Sequence, residues 1–142
     1  EAVLHGTART YSHETRTRFP DILQRIAVST AASYRASASL EYSPGCPPLI
    51  NEPAVTGLAR AAAASLLGEA SLVDIEKVMG GEDFAEYLQH VPGAFAFAGC
   101  ARPGSDPAIP LHNGQLRVDD DVLPICAALH VQWALDFLNN SG

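Results

Sequence analysis

The sequence predicts an α/β chain divided between two domains, and three observations carry this prediction. Within residues 1–45, an alternating apolar pattern, a helical pattern and a second alternating pattern follow one another. Residues 43–48 contain three prolines and a glycine, which interrupt regular structure. Beyond them, helical patterns alternate with short apolar runs, as in a sheet covered by helices. We therefore place one domain over residues 1–46 and a second over residues 47–142.

The first domain is predicted to be a βαβ unit. Residues 2–11 and 37–42 alternate polar and apolar side chains, which predicts two strands with one solvated face each. Ser12 can cap the helix between them, and Pro20 predicts a short turn over 13–18 followed by a main helix that begins or kinks near the proline. A helical connection forces the two strands to be parallel. Two strands and one helix cannot bury a core alone, so this sheet needs further partners.

The second domain begins with an alanine-rich helix. Asn51 is predicted to cap it, Pro53 suits its first turn, and Gly68 supplies a left-handed stop. Its predicted apolar face comprises Val55, Leu58, Ala59, Ala62 and Leu66.

Four further elements follow in this domain. Short apolar runs predict strands at residues 72–75 and 95–98. A glycine turn predicts a helix from about Glu82 to Gln89, and three aspartates from Asp119 open a last helix that we expect to be largely buried. Acidic residues complement the dipole at a helix start, and we favour this interpretation of the aspartates over a calcium site.

Composition excludes several classes of function. Nine Lys and Arg against sixteen Asp and Glu give a net charge of −7, without a basic cluster, so we expect neither nucleic acid nor a membrane as a partner. No apolar run approaches the roughly 20 residues that cross a bilayer, and the first residues do not resemble a signal peptide. Three widely spaced cysteines indicate neither a disulfide framework nor a zinc knuckle. We expect a soluble, cytoplasmic protein with reduced thiols.

The longest region without helical or strand periodicity, residues 100–118, contains His112. Its prolines and glycines prevent continuous regular structure, and loops of this length are usually functional or disordered. Ile109 and Leu111 flank an imidazole that can bind metal, an unusual composition for a disordered segment. His112 is therefore the leading site residue, and a histidine that only hydrogen-bonds nearby backbone is the alternative. No spacing pattern supplies further metal ligands.

Two other segments could carry chemistry. Glu82 and Asp83 follow Gly80 and Gly81 at a helix start, which fits either a well-formed helix terminus or part of an active site. Cys46 could be a nucleophile, but no histidine context supports that role.

Five short segments occur in an order that resembles a known enzyme family. They are residues 6–11 (GTARTY), 45–51 (GCPPLIN), 79–84 (MGGEDF), 91–95 (VPGAF) and 110–113 (PLHN). Together they resemble the C-terminal part of the metal-dependent amidohydrolases that include hippurate hydrolase, N-acyl-amino-acid hydrolases and auxin-conjugate hydrolases, which are relatives of the two-metal carboxypeptidases. The resemblance implies hydrolysis of an N-acyl amino acid to a carboxylic acid and an amino acid.

The resemblance also implies a fold and site residues. Residues 1–46 would be the second half of an α+β, ferredoxin-like lid that makes a homodimer contact, and residues 47–142 would be the C-terminal part of an α/β, zinc-peptidase-like catalytic domain. The histidine matching His112 is a metal ligand in this family, and the arginine matching Arg9 resembles the group that holds the substrate carboxylate. Gly80, Gly81 and Glu82 resemble a segment that lines the substrate site.

Other parts of the family pattern are missing. The family's Cys-x-His segment, its Glu-Glu pair with the general base, and a further histidine lie upstream of anything in this chain, so no catalytic residue is assigned here. The family implies two divalent ions per subunit (Zn, Mn, Co or Ni), and we expect none or an incomplete site in this chain alone. Cys46 replaces a common tyrosine and Gly114 a common proline, away from the implied chemistry.

Two hypotheses follow. In the first, the chain is a C-terminal piece of a two-metal amidohydrolase whose partners are its substrate and the remainder of the enzyme; the start at Glu1, directly in a strand pattern, favours a fragment. In the second, the chain is a complete, non-catalytic α/β binding or dimerisation module. An intact mass near 15.0 kDa with cooperative unfolding and no metal would favour the module.

Overall fold

The computed structural model describes residues 1–102, 104 and 109–140, except for the side chain of residue 140. The chain groups into two compact units, which we call unit 1 and unit 2. Unit 1 comprises Glu1–Asn51 and Ile75–Gly93, and unit 2 comprises Glu52–Asp74 and Ala94–Gly142. The predicted domain boundary near residue 46 stays a prediction.

Helix α1 is the main element of unit 1 and runs without a break from His13 to Ser33. Ser12 caps it as predicted: its backbone is extended, and its hydroxyl accepts a hydrogen bond from the Thr15 N–H at 3.1 Å. Pro20 lies inside the helix, so the separate turn predicted over 13–18 is wrong. Pro20 removes one hydrogen-bond donor from the helix. The helix continues nevertheless, because its first turn is capped and 13 further residues follow Pro20.

The segment after α1 returns along the same helix. The Leu40 N–H donates to the side-chain oxygen of Gln24 at 3.0 Å, and the Arg16 guanidinium donates to the Gly45 carbonyl. These bonds hold residues 40–45 to α1 through side chains and not through a β-ladder.

Helix α2, Pro53–Leu67, lies in unit 2 and packs against the last helix of that unit. Pro53 occupies the first turn, as predicted. Gly68 ends the helix with a positive φ of 85°, but its ψ of 152° lies outside the left-handed helical region that was predicted. Of the predicted apolar face, Val55 and Ala62 are buried, whereas Leu66 is exposed. The observed cap is Glu52 and not Asn51: the Glu52 carboxylate accepts from the Val55 N–H at 2.7 Å. A carboxylate one residue later also suits the positive end of the helix dipole.

The Glu52 cap leads to a test of stability. Glu52→Ala should lower the free energy of unfolding by about 1 kcal/mol, since a lost N-cap typically costs 0.5–2 kcal/mol. The measurement is urea unfolding of the intact protein followed by circular dichroism. Glu69→Ala is the matched control, because Glu69 is an exposed glutamate in the 3-10 turn Glu69–Ser71, where its side chain makes no cap. Equal free energies for the two variants would contradict the capping role.

Helix α3, Phe84–Tyr87, is a single turn in unit 1 and is shorter than the helix predicted over 82–89. The chain beyond it tightens into turns, in which the His90 N–H donates to the Tyr87 carbonyl at 2.9 Å. Pro92 then prevents helical continuation. Ala85 is fully buried and anchors this turn.

Helix α4, Val122–Asn140, is the last element of unit 2. The Asp119 side chain accepts from the Asp121 N–H at 3.3 Å, which supports the helix-start interpretation of the three aspartates. Trp133 and Phe137 stack with ring centroids 5.6 Å apart. Helix α4 was predicted to be largely buried, and this is wrong for the described chain: no side chain from 122 to 139 is buried. The helix is apolar on several faces, and α2 covers only part of it.

Helix α4 contradicts the expectation that no apolar segment is long enough to cross a membrane. Val122–Asn139 is long and apolar enough to cross a membrane by length and composition alone, although no apolar run was expected to approach that size. Core helices of soluble proteins pass the same test, so α4 by itself is weak evidence for a membrane span.

Strands were predicted in four places, and the structure has none within the described residues. A strand persists only where a neighbouring strand satisfies its backbone N–H and C=O groups. The predicted strands were residues 2–11, 37–42, 72–75 and 95–98. Large apolar side chains in these segments are exposed instead, including Leu4 at 91% and Val73 at 74%.

Candidate functional site

The loop that contains His112 is closed at its base in unit 2. The Asp119 N–H donates to the Cys100 carbonyl at 2.9 Å, so the chain returns on itself at these two residues. Residues 103 and 105–108 of this loop lie outside the described residues.

His112 lies in a turn of this loop and is exposed. Its φ is 66°, a left-handed conformation that is uncommon for residues other than glycine and in which histidine is enriched. The next residues hold the turn: the Asn113 side-chain oxygen accepts from the Gln115 N–H at 2.9 Å, and the Asn113 carbonyl accepts from the Leu116 N–H at 3.0 Å. The local backbone therefore presents an accessible imidazole. That His112 binds metal stays a prediction.

The divalent metal implied by the resemblance needs several converging ligands. Among the residues that the structure describes, no three His, Cys, Asp or Glu side chains form such a group. His112 supplies one donor, and one donor does not hold a metal ion. The described residues therefore supply at most one ligand of the implied metal.

Arg9 belongs to unit 1 and is exposed. It was expected to project from the polar face of a strand, but residues 2–11 do not form a strand, so side-chain alternation does not explain its exposure. Within the described part of the chain, no acidic group pairs with its guanidinium. Arg9 thus presents an unpaired planar fork of donors, the geometry that suits a carboxylate.

Gly80, Gly81 and Glu82 precede helix α3 in unit 1. The Glu82 carboxylate accepts from the Phe84 N–H at 3.1 Å, so it serves the helix start. Neither glycine has a positive φ, and a Cβ at either would meet no atom within 4 Å. Steric crowding in the described chain therefore does not explain these glycines, and a role in lining a substrate site stays a prediction.

A contact between Tyr11 and Lys77 was not predicted from the sequence. The Tyr11 hydroxyl donates to the Lys77 carbonyl at 3.1 Å, and the Lys77 ammonium lies 5.8 Å from the centroid of the Tyr11 ring. The two residues are 66 positions apart, so no local pattern could indicate the pair. The three cysteines form no disulfide with one another in the structure, and their redox state stays a prediction.

The family model described as "Peptidase family M20/M25/M40" matches residues 4–136 of the chain. Three relatives illustrate the similarity. "Thermostable carboxypeptidase 2" of Saccharolobus solfataricus is 30% identical over 98% of this chain and 35% of its own length. "N-acetyl-L-cysteine deacetylase" of Bacillus subtilis is 37% identical over 68% of this chain and 23% of its own length. "IAA-amino acid hydrolase ILR1-like 4" of Arabidopsis thaliana is 26% identical over 94% of this chain and 31% of its own length.

The chain therefore spans about a third of the length of the curated relatives that it matches most fully.

Proposed function

Because this chain belongs to peptidase family M20/M25/M40, we propose that it contributes the C-terminal part of a metal-dependent hydrolase that cleaves an amide bond. The match of the family model to residues 4–136 is the observation that carries this proposal. Relatives named as a carboxypeptidase, a deacetylase and an amino acid hydrolase support the same type of bond.

We propose N-acyl amino acids as the substrate class. The printed names of two relatives, a deacetylase of N-acetyl-L-cysteine and a hydrolase of an amino acid conjugate, support this class. Such substrates have a free carboxylate beside the scissile amide, and Arg9 presents an exposed guanidinium that suits it. In this proposal Arg9 holds the carboxylate, while Gly80, Gly81 and Glu82 line the site near it.

The proposed metal arrangement uses His112 as one ligand. When bound, the divalent ions would polarise the scissile carbonyl and activate water. The other ligands and the general base would come from parts of the enzyme that this sequence does not contain.

The family implies an α/β peptidase-like domain. We propose that residues 47–142 contribute to this domain, and that residues 1–46 form half of an α+β lid through which two subunits pair in the cytoplasm. Light scattering of the intact protein at several concentrations measures its molar mass in solution. A dimer should have twice the mass of one subunit.

The proposed activity predicts a defined response to metal removal. The intact protein should release free amino acid from N-acetyl and N-benzoyl amino acids, measured by chromatography. Dialysis against a chelator should abolish the release, because the chemistry depends on bound divalent ions. Addition of Zn, Mn, Co or Ni, each tested separately, should restore it with at least one metal.

An intact protein that cleaves none of these substrates and no dipeptide with any of the four metals would contradict the proposed activity. That result would favour the non-catalytic binding or dimerisation module instead.

A further inference from the structure

We propose that Tyr11 and Lys77 are positioning residues whose contact fixes the Arg9 segment relative to the segment with Gly80 and Gly81, and so sets the affinity for the carboxylate end of the substrate. This inference rests on the proposed function, in which Arg9 binds that carboxylate. Its starting observation is the pair of contacts that join the two residues within unit 1.

The two contacts are reciprocal. The Tyr11 side chain holds Lys77 by its backbone, through the hydroxyl and the carbonyl at 3.1 Å. The Lys77 side chain in turn brings its ammonium to 5.8 Å from the centroid of the Tyr11 ring, within the range of a cation–π contact. Between residues 1–11 and 75–81, this hydroxyl–carbonyl bond is the one hydrogen bond within the described part of the chain.

Other contacts in the two segments are too few to replace it. Every residue from 73 to 81 is exposed, and so are residues 1–7. Without apolar burial, these segments are ordered only by the specific contacts that they make. The Tyr11–Lys77 contact is therefore the main specific contact that joins these two segments in the described chain.

The contact is close to both proposed substrate-binding segments along the chain. Arg9 precedes Tyr11 by two residues, and Gly80 follows Lys77 by three. Because an extended chain spans at most about 3.6 Å per residue, the Arg9 Cα lies within roughly 7 Å of the Tyr11 Cα, and the Gly80 Cα within roughly 11 Å of the Lys77 Cα. Loss of the contact would let each segment sample more conformations before it binds substrate.

The expected kinetic effect is on KM. Pre-ordering of a carboxylate site favours the bound substrate and the transition state equally, so its loss raises KM and leaves kcat nearly unchanged. Tyr11→Phe removes the hydroxyl and keeps the ring. In the intact enzyme it should raise the KM for an N-acyl amino acid by about 2- to 12-fold, the range for loss of one hydrogen bond.

Matched variants separate positioning from general stability. Tyr34→Phe in the same unit is the control, because Tyr34 is 82% exposed, and its KM should equal that of the wild type. Lys77→Arg retains a cation for the ring and should keep a KM near that of the wild type, whereas Lys77→Met should raise it. A second substrate, the same N-acyl amino acid with its carboxylate converted to an amide, has no charge for Arg9 to bind. Its KM should not change in any of these variants.

Trypsin cleavage after Lys77 distinguishes failure of this inference from failure of the proposed function. Tyr11→Phe should speed this cleavage whether or not the enzyme is active, because the Tyr11 hydroxyl holds the backbone at Lys77. Faster cleavage with an unchanged KM, or an equal rise in KM for the acid and the amide, would overturn the positioning role. A wild-type enzyme that is inactive on all N-acyl amino acids would instead overturn the proposed function, and the positioning role would fall with it.

Discussion

Replacement of His112 by alanine is expected to remove bound metal from the intact enzyme and to lower kcat/KM by more than about 100-fold. Loss of a residue that only supports a metal ligand typically costs 10- to 100-fold, and loss of a ligand itself costs more. Metal content is measured by mass spectrometry of the purified variant, and kcat/KM is measured on an N-acetyl amino acid.

The left-handed backbone of His112 calls for a second variant. At a φ of 66° alanine is strained by about 1 kcal/mol, so His112→Ala disturbs the turn as well as removing the imidazole. His112→Gly removes the imidazole without this strain. If the imidazole is the ligand, both variants lose metal. If only the turn geometry matters, His112→Gly retains metal and His112→Ala does not.

His130→Ala is the control for removal of a histidine. The sequence places His130 among apolar neighbours of α4, yet its side chain is exposed and its Nδ1 lies 2.7 Å from the Cys126 carbonyl of the same helix. We expect this variant to keep metal and activity and to change stability only slightly. If both His112 variants contain as much metal as the His130 variant, His112 is not a metal ligand.

The helices could be predicted from the sequence because their signals are local. Ser12 lies directly before α1, and Pro53 and Gly68 mark the two ends of α2 within 16 residues of each other. Such signals act through hydrogen bonds and backbone conformations that involve only neighbouring residues. Even the error at the α2 cap is a shift of one position, from Asn51 to Glu52.

The strands and the burial of α4 could not be predicted in the same way. An alternating pattern shows that a segment has two different faces, and it does not supply the neighbouring strand that the backbone requires. Residues 72–75 and 95–98 have the pattern of strands without a ladder in the described chain. Likewise, the apolar composition of α4 indicates that it suits a core, yet Leu138 is 69% exposed in the described chain.

In the candidate site too, only features with a local sequence signal could be predicted. A segment without regular structure around His112 could be predicted from its prolines and glycines, but the described chain already lacks helix and strand from Leu88 to the start of α4, so the predicted bounds are not reproduced. The strained φ of His112 and the contact of Tyr11 with Lys77 depend on folding and have no sequence signal. The roles proposed for His112 and Arg9 come from the resemblance to a family.

Arg9→Lys is expected to weaken the use of N-acyl amino acids without lowering metal content. Arginine holds a carboxylate with a planar, bidentate fork, whereas lysine offers a point charge. The loss should be about 1–3 kcal/mol, or roughly 5- to 150-fold in kcat/KM. The exposed and unpaired state of Arg9 within the described chain means that the substitution breaks no ion pair, so the change in kcat/KM reports on the substrate.

A pair of substrates identifies the group that Arg9 contacts. The loss should appear with an N-acyl amino acid and vanish with the analogue whose carboxylate is amidated, because the amide has no negative charge for the guanidinium to neutralise. Arg25→Lys is the matched control, since Arg25 is an exposed arginine of α1 in the same unit and has no proposed role. Equal impairment of Arg9→Lys on the acid and the amide would show that Arg9 does not anchor the carboxylate, and the origin of substrate selectivity would then have to be sought in another residue.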